Sequence, residues 1–272
     1  NTREDGTKCG FGGCYYNRPS DRTDDFNEIS ARMGLATNFE KLNYFTQISL
    51  GFRPPQINEA YRLQKKQNVT DLDSETLSMI EIGSRFESNA VNGTVSFYRS
   101  KKKNSIFRDA ENFIIDNGKT DHEGIELSLD WLISSDNTIS TNITYGDHKY
   151  DFETDTSMRE KIRAGNTIDT SPKLMANLIW DLNLRGDTSL SFEIEYMSSY
   201  YTDAANLHEY EGHTLYHTRF NRDLTPSLKG FIRIDNILDK AYAERADFNA
   251  FGGDRYFPGL PRELYLGLEY TF

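Results

Sequence analysis

Hydrophobic and polar residues alternate along most of the chain. From Leu264 to Phe272 every second residue is apolar, and the residues between them are Tyr265, Gly267, Glu269 and Thr271. Such alternation gives a β-strand one apolar side and one polar side. The same period of two recurs in about eleven segments, which centre on residues 31–35, 44–52, 80–86, 91–98, 125–131, 139–145, 174–182, 190–196, 216–220, 232–234 and 264–272. The pattern predicts an all-β protein, and the fourth segment is expected to continue through residues 105–108.

The connections between the predicted strands alternate between short and long. Short polar turns are predicted at residues 38–43, 87–92, 134–137, 183–187 and 223–227. Long segments are predicted at residues 1–29, 54–76, 104–121, 146–171, 200–212 and 238–261. Outer-membrane barrels have short turns in the periplasm and long loops outside the cell. A soluble β-sandwich also alternates apolar and polar residues, but its connection lengths need not alternate. The sequence therefore favours an antiparallel transmembrane β-barrel over a sandwich.

The composition by itself describes a water-soluble protein, with a mean hydropathy of -0.68 and 27% charged residues. Barrel strands also score as hydrophilic overall, because only every second residue faces lipid. No stretch approaches the roughly 18 consecutive apolar residues of a membrane-spanning helix. The net charge of -11 argues against a nucleic-acid partner.

The polar sides of the predicted strands carry many charges of both signs, which predict a wide lumen, either wet or filled by a polar plug. They include Arg32, Arg53, Glu81, Arg85, Glu126, Asp130, Asp181, Glu193, Glu195, Arg219, Arg233, Asp235, Glu263 and Glu269. The first and last predicted strands run in the same direction, so they cannot pair antiparallel to close a barrel, and open edges are not tolerated in lipid. We therefore expect further strands upstream.

Two cysteines, Cys9 and Cys14, lie in the sequence CysGlyPheGlyGlyCys. We predict a disulfide between them, which needs an oxidising compartment; free thiols or a metal-binding pair are the alternatives. No signal peptide opens the chain. Its polar, glycine-rich start is interpreted as the interior of a longer precursor.

The last part of the chain adds a more specific signal. Residues 231–242, PheIleArgIleAspAsnIleLeuAspLysAlaTyr, and residues 256–272, TyrPheProGlyLeuProArgGluLeuTyrLeuGlyLeuGluTyrThrPhe, resemble the C-terminal end of TonB-dependent outer-membrane receptors. Residues 51–61, 72–83 and 122–130 resemble three further stretches of that barrel, in the same order. The sequence departs from the family at residues 72–75, where many members have a Lys-Pro-Glu type sequence, and at Leu238, where Phe is commoner. The resemblance spans essentially the whole chain.

This resemblance implies a barrel of about 22 strands closed by an N-terminal plug. Residues 1–272 would form about its second half, a C-terminal portion of the barrel domain without the plug and the TonB box. The complete receptor would bind a scarce ligand, such as an iron–siderophore complex, at its extracellular loops. Its implied partners are the TonB–ExbB–ExbD complex, outer-membrane lipid and lipopolysaccharide, and the barrel assembly machinery, for which Phe272 would be part of the signal. No cofactor is implied, and the implied location is the bacterial outer membrane.

The candidate ligand-binding residues lie in the long segments. Aromatic and cationic groups suit catecholate or carboxylate ligands, and the predicted contacts are Tyr61, Arg62, His148, Tyr150, Tyr200, Tyr201, His208 and Tyr210. The alternative interpretation places these side chains at the membrane interface or in solvated loops.

No catalytic or metal-binding constellation emerges. The five histidines are scattered, and His213 and His217, on one face of a strand, would be about 13 Å apart, too far for one metal ion. PheArgProPro at residues 52–55 resembles part of a haem-receptor signature, but the histidine and the AsnProAsnLeu stretch that accompany it are missing from residues 56–80. We therefore expect an uptake receptor and no enzyme. The alternatives are a passive porin-like channel and a soluble β-sandwich binding module.

Overall fold

A computed structural model describes residues 6, 8–11, 13–14, 16–18, 20–61, 63–64, 67, 72–108, 113–154, 161–249 and 252–272. Among these residues the elements are one short helix, α1 (Ile57–Tyr61), and a series of strands joined by turns and longer connections. In chain order these are β1 (Tyr16–Asn17), β2 (Ala31–Phe39), β3 (Leu42–Arg53), β4 (Leu63–Gln64), β5 (Glu75–Glu87), β6 (Val91–Arg108), β7 (Ile114–Ser134), β8 (Asn137–Tyr150), β9 (Leu174–Leu184), β10 (Thr188–Met197), β11 (Tyr200–Tyr201), β12 (Glu209–Tyr210), β13 (His213–Thr225), β14 (Leu228–Asp235), β15 (Ala243–Asn249), β16 (Gly253–Pro258) and β17 (Glu263–Tyr270). No helix in the described part of the chain is long and apolar enough to cross a membrane.

Eleven strands form one antiparallel sheet, in the order β17-β14-β13-β10-β9-β8-β7-β6-β5-β3-β2. This confirms the predicted strand count and every predicted short turn. Each strand is antiparallel to its neighbours, so β2 and β17 run in the same direction and cannot close the sheet by antiparallel pairing. Three two-stranded sheets, β1-β4, β11-β12 and β15-β16, accompany this large sheet among the described residues, and no second large sheet packs on its face as in a β-sandwich.

The predicted loop at residues 104–121 is wrong, whereas the predicted continuation of the fourth strand through residues 105–108 is confirmed by β6. Residues 104–121 are largely a continuation of β6 and β7, which stay paired from the turn at one end to Arg108 opposite Ile114 at the other. The pairing register shifts on both sides of Ser105, and the two strands stay paired beyond these shifts. Ordinary backbone pairing therefore extends the sheet well beyond the length that a membrane needs.

The two faces of the sheet differ sharply. Rows of apolar side chains continue from strand to strand on one face, as in the row Ile82, Phe97, Ile125 and Tyr145. These side chains are exposed, from 39% for Ile125 to 56% for Ile82, and Leu266 and Leu268 of β17 are 70% and 71% exposed. Only a lipid environment suits so large an apolar face. The apolar stripe of β17 is thus the edge of a lipid-facing band.

The lipid-facing band has an upper limit on β6, β7 and β8. One step beyond Phe97 and Ile125 on the same face, Arg99 lies opposite Glu123. Further out, Lys101 binds the Asp121 carboxylate at 3.0 Å. Charged outward side chains do not belong in hydrocarbon. We call the paired segment beyond this limit, residues 99–123 and 146–150, the outer extension.

The packed cores lie in the long connections and the outer extension rather than under the sheet. One cluster contains Ile115, Tyr150, Ile162 and Ala204. Another contains Tyr200, Tyr210, Ala243 and Ala246. The connections at this end therefore fold against one another.

Candidate ligand-binding site

Three long connections are linked by hydrogen bonds at the end of the sheet that carries the loops. The Thr170 amide donates to the Tyr201 carbonyl at 2.7 Å, which joins residues 151–173 to residues 198–212. The Phe248 amide donates to the Thr202 carbonyl at 3.0 Å, which adds residues 236–262. The three connections are therefore joined to one another by backbone hydrogen bonds and form one continuous surface.

A cavity of about 220 Å³ lies between these connections and the tip of the β6–β7 hairpin. Its charged lining residues are Arg108, Asp169, Arg245, Asp247 and Arg255. Three guanidinium groups against two carboxylates give the cavity a net positive lining. We call it the loop pocket.

Asp247 organises two of the arginines. Its carboxylate accepts hydrogen bonds from Arg245 at 2.8 Å and from Arg255 at 2.6 Å. Asp247 is itself buried, whereas the side chains of Arg245 and Arg255 are 63% and 51% exposed. Since a guanidinium has five N–H donors, each arginine can bind a further anionic oxygen.

Thr202 contributes an unused hydrogen-bonding group to the loop pocket. The residue is buried, and its Oγ1 has no hydrogen-bond partner among the described residues. A buried hydroxyl left without a partner costs about 1–3 kcal/mol. A ligand oxygen in the pocket would provide that partner.

Among the predicted ligand residues that the structure describes, Tyr150 lines the loop pocket. Its hydroxyl donates to Asp169 Oδ1 at 2.6 Å, and its ring packs against Phe107 with centroids 6.0 Å apart. The side chain is buried, so it supports the pocket wall and fixes the Asp169 carboxylate.

Tyr200 and Tyr210 lie outside the loop pocket and are buried beneath the last long connection. The Tyr200 hydroxyl is hydrogen-bonded to the backbone of Ala246, and the Tyr210 hydroxyl to that of Ala243. Burial raises the pKa of Tyr200. These two tyrosines therefore hold the β15–β16 hairpin, which carries Arg245, Asp247 and Arg255.

His208 and Tyr201 remain partly exposed beside the loop pocket. The His208 ring stacks on Phe248, a pocket residue, with ring centroids 4.0 Å apart. Its Nδ1 lies 3.3 Å from Asp254 Oδ1. Tyr201 pairs with Glu209 in the small β11–β12 sheet. Ligand contact by these two residues stays a prediction.

The remaining predicted residues lie away from the loop pocket or outside the described part of the chain. The Tyr61 hydroxyl donates to Asp24 Oδ2 at 2.5 Å, and side-chain hydrogen bonds from Arg22 and Tyr61 lower the pKa of Asp24. Arg62 lies outside the described residues. Cys9 and Cys14 are paired with their Cα atoms 5.1 Å apart, within the range of disulfides.

His148 pairs with a second histidine that the sequence did not connect to it. His122 on β7 lies opposite His148 on β8, and their Nδ1 atoms are 2.9 Å apart. Burial, and secondarily the neighbouring His148, lowers the pKa of His122 to about 4; burial also lowers that of His148. Both rings are neutral at pH 7. Counting the register back from Ser134 opposite Asn137 would place His122 opposite Lys149, because the register shifts by one between Leu132 and Ser134, so the sequence alone could not find this pair.

The other histidines have partners of a different kind. His213 Nδ1 lies 2.9 Å from the Tyr210 hydroxyl, and His217 Nδ1 lies 3.2 Å from Asp235 Oδ1. No group of three or more His, Cys, Asp or Glu arranged for a metal ion occurs among the described residues.

The sequence analysis missed the arginines of the loop pocket. Arg255 lies directly opposite Asp247 because β15 and β16 pair through the turn at Gly252. The available signal was an Arg-Ala-Asp triplet at 245–247 and an Asp-Arg pair at 254–255, which become complementary in a hairpin.

Comparisons with known proteins agree with this architecture. Among solved structures, the ferric-catecholate import receptor Fiu from E. coli K12 matches with a TM-score of 0.71 and 18% identity over 89% of this chain and 34% of that one. The siderophore receptor PiuA from Acinetobacter baumannii matches with a TM-score of 0.72 and 18% identity over 88% and 35%. The ferric yersiniabactin uptake receptor FyuA from Yersinia pestis matches with a TM-score of 0.71 and 15% identity over 89% and 37%. The chain thus spans about a third of the length of these structures, and at such identities the likeness shows the fold.

Sequence comparison with curated proteins finds no match. The family described as TonB dependent receptor-like, beta-barrel, matches residues 7–237, which is most of the chain. Barrels of this family reside in the bacterial outer membrane, in agreement with the lipid-facing band of the sheet. From its eleven antiparallel strands, its apolar outer face and this match, the chain belongs to the TonB-dependent receptor β-barrel family.

Proposed function

We propose that the full-length protein imports an iron–siderophore complex in a TonB-dependent manner. The family consists of transporters and not of enzymes. The observation that carries the proposal is the loop pocket, in which Arg245 and Arg255 are held by one buried carboxylate beside the Thr202 hydroxyl, which has no hydrogen-bond partner in the described part of the chain. This arrangement suits a ligand rich in anionic oxygen atoms.

The size of the loop pocket indicates how such a ligand would bind. Its volume of about 220 Å³ is below the roughly 300–1,000 Å³ of sites that enclose a whole small molecule. It accommodates one catecholate or carboxylate arm, and the rest of the ligand would lie toward the lumen. Siderophore receptors among the structures of the same fold support an iron chelate as the ligand class.

The transport step is assigned to parts of the protein beyond residues 1–272. We propose that a plug domain closes the lumen and that the TonB–ExbB–ExbD complex acts on it through a TonB box. The segment described here would supply the loop pocket and about half of the barrel wall. A polar inner face with charges such as Glu193 and Arg219 suits passage of a hydrated ligand.

Binding of ferric citrate and of a ferric catecholate to the purified full-length protein tests the ligand class. Arg255→Gln removes a pocket charge, and Arg185→Gln, in the exposed β9–β10 turn at the other end of the sheet, is the matched control. We expect binding of one chelate to weaken at least tenfold in the first variant and to be unchanged in the second. Equal affinity in both variants would exclude the pocket as the site.

Growth under iron limitation tests transport itself. Cells carrying the gene or its deletion receive candidate siderophores one at a time, with and without an active TonB system. We expect rescue by one siderophore that requires both the gene and TonB. Rescue without TonB would indicate a passive porin-like channel, and indifference to iron and to every siderophore would overturn the proposal.

A further inference from the structure

The outer extension contains a pair of imidazoles that neither the loop pocket nor the barrel wall explains. His122 and His148 lie on the inner face, opposite in direction to Ile125 and Tyr145, and directly across from each other on β7 and β8. Their Nδ1 atoms are 2.9 Å apart and their ring centroids 5.0 Å apart. We propose that this pair binds a divalent transition-metal ion through its two Nδ1 atoms, with Cu²⁺ as the preferred ion.

The nitrogen separation matches a metal ion of a particular geometry. Metal–imidazole bonds are about 2.0–2.1 Å long. Two such bonds to nitrogens 2.9 Å apart enclose an angle of about 90°. That is the angle between neighbouring ligands of a square-planar or tetragonal ion, whereas a tetrahedral ion would need nitrogens about 3.4 Å apart. Cu²⁺ combines this geometry with the highest affinity in the divalent series.

The other nitrogen of His122 already has the partner that a metal ligand needs. Its Nε2 lies 2.8 Å from Thr120 Oγ1. An Nε2–H that donates to this oxygen leaves the Nδ1 lone pair directed at the opposite ring. The Thr120 hydroxyl can accept from an Nε2–H, so this contact is compatible with the tautomer that a metal needs, and it orients the His122 ring.

Two facing glycines make room for the pair. A Cβ at residue 146 would lie 2.6 Å from His148 Nε2, and one at residue 124 would lie 2.6 Å from the Tyr98 hydroxyl. Gly124 and Gly146 are themselves opposite each other in the sheet. Only glycine at these positions lets the rings of Tyr98 and His148 lie flat along the wall. The two glycines therefore fix the space that the His148 imidazole occupies.

The metal-free pair is held by a hydrogen bond in which one Nδ1–H donates to the other Nδ1. Binding of Cu²⁺ replaces this proton: it moves to the Nε2 of the same ring, and both Nδ1 lone pairs then bind the ion. The remaining coordination positions open toward the lumen, where water or a donor atom of a cargo can occupy them. The site is independent of the loop pocket and of the proposed siderophore.

Titration of Cu²⁺ alone into the full-length protein in detergent tests the inference. We expect one ion to bind with an electron paramagnetic resonance spectrum split by two equivalent nitrogens. His122→Ala and His148→Ala should each weaken binding at least tenfold. His217→Gln is the matched control, because this histidine faces the same side of the sheet but contacts the Asp235 carboxylate instead of a second imidazole.

Undiminished copper binding in a His122→Ala, His148→Ala double variant would overturn the proposal. A wild-type spectrum without coupling to two nitrogens would do the same, and this measurement decides the question even where an alanine variant fails to fold. Zn²⁺ should displace Cu²⁺ only at a large excess.

Discussion

The hydroxyl of Tyr200 is bonded to both backbone groups of Ala246, accepting from the amide at 2.7 Å and donating to the carbonyl at 3.2 Å. The tyrosine hydroxyl thus bonds the two backbone groups that a neighbouring strand would otherwise bond. Tyr210 repeats the arrangement with Ala243, with distances of 3.0 and 3.2 Å. Because β15 holds the loop-pocket residues Arg245 and Asp247, these two tyrosines set the shape of a site that they do not touch.

Tyr200→Phe should loosen the β15–β16 hairpin. The change leaves the amide and carbonyl of Ala246 buried without partners, at a cost of about 1–3 kcal/mol each. We expect faster amide hydrogen exchange across residues 243–258, measured by mass spectrometry on the full-length protein. Tyr201→Phe is the control, since its side chain is half-exposed. Equal exchange in the two variants would show that the hydroxyl bonds do not hold the hairpin.

The strands could be predicted from the sequence because one face of each strand meets lipid, so apolar residues recur at every second position. Segments in water or in loops have no such period. Ile125, Leu127 and Leu129 face the same apolar solvent, so their spacing alone identifies β7. The loop predicted at residues 104–121 was wrong, apart from the strand continuation expected at residues 105–108, because β6 and β7 extend beyond the lipid-facing band there. There the outer face turns charged at Arg99 and Glu123, and pairing continues without an apolar pattern to reveal it.

The ligand-binding site was harder to predict than the strands, because an aromatic residue in a loop can either contact a ligand or be buried in the core of the loop. Tyr200 and Tyr210 were candidates by residue type, and they proved to be core residues of loops that carry cores of their own. The pairing of Asp247 with Arg255, and that of His122 with His148, depends on the register of two hairpins. The register of a hairpin can be counted only when the exact residues of its turn are known, and for β7 and β8 the shift between Leu132 and Ser134 has to be known as well.

Gly124→Ala should destabilise the sheet where the outer extension begins, since Gly124 lies opposite Gly146. A Cβ at this position would lie 2.5 Å from the Tyr145 carbonyl oxygen, which is backbone and cannot move aside, and 2.6 Å from the Tyr98 hydroxyl. Overpacking of this kind costs about 1–3 kcal/mol. We expect a lower midpoint of thermal unfolding, measured by circular dichroism in detergent.

Gly51→Ala provides the control for this substitution. Gly51 also lies on a strand of the sheet, on the inner face of β3, but a Cβ there would meet nothing within 4 Å. Its midpoint should stay within experimental error of the wild type. A similar loss in both variants would attribute the effect to strand glycines in general and contradict the packing argument.

Glu75 should make the base of the 54–74 connection sensitive to acid. This buried carboxylate accepts from Arg53 at 2.5 Å, from Lys102 at 2.9 Å and from the Ile106 amide at 2.8 Å. Burial alone would raise its pKa, but these three bonds outweigh burial and lower the pKa below 4.5. A lowered pKa in the folded state stabilises at pH values above 4.5, and the stabilisation is lost as the pH falls through the folded value.

Limited proteolysis of the full-length protein between pH 7 and pH 3 measures this effect. Wild-type cleavage within residues 54–74 should increase only at the acidic end. Glu75→Gln should already be cleaved faster at pH 7, with a local cost of roughly 1–3 kcal/mol, and should show little further change with pH. Glu87→Gln, at the exposed other end of β5, serves as the control. A wild-type profile without pH dependence would contradict the proposed role of Glu75.

If the loop pocket is the binding site, Thr202→Val should weaken ligand binding without lowering the stability of the unliganded protein. The Oγ1 of Thr202 is buried with no partner among the described residues, so its replacement by a methyl group of similar size removes an unsatisfied group. The unliganded protein should consequently unfold at the same temperature or a higher one. A ligand that accepts a hydrogen bond from this hydroxyl should bind about tenfold more weakly, which corresponds to about 1.4 kcal/mol.

Thr202→Ser completes the comparison, because serine keeps the hydroxyl and loses only the methyl group. It should bind the iron chelate like the wild type, and its folded state should be only slightly less stable because of the lost methyl group. Thermal unfolding and chelate affinity measured on all three proteins then separate the two roles of the side chain. Unchanged affinity in the valine variant, alongside weakened affinity in Arg255→Gln, would mean that the ligand binds the arginines without reaching Thr202 and would place it at the mouth of the pocket.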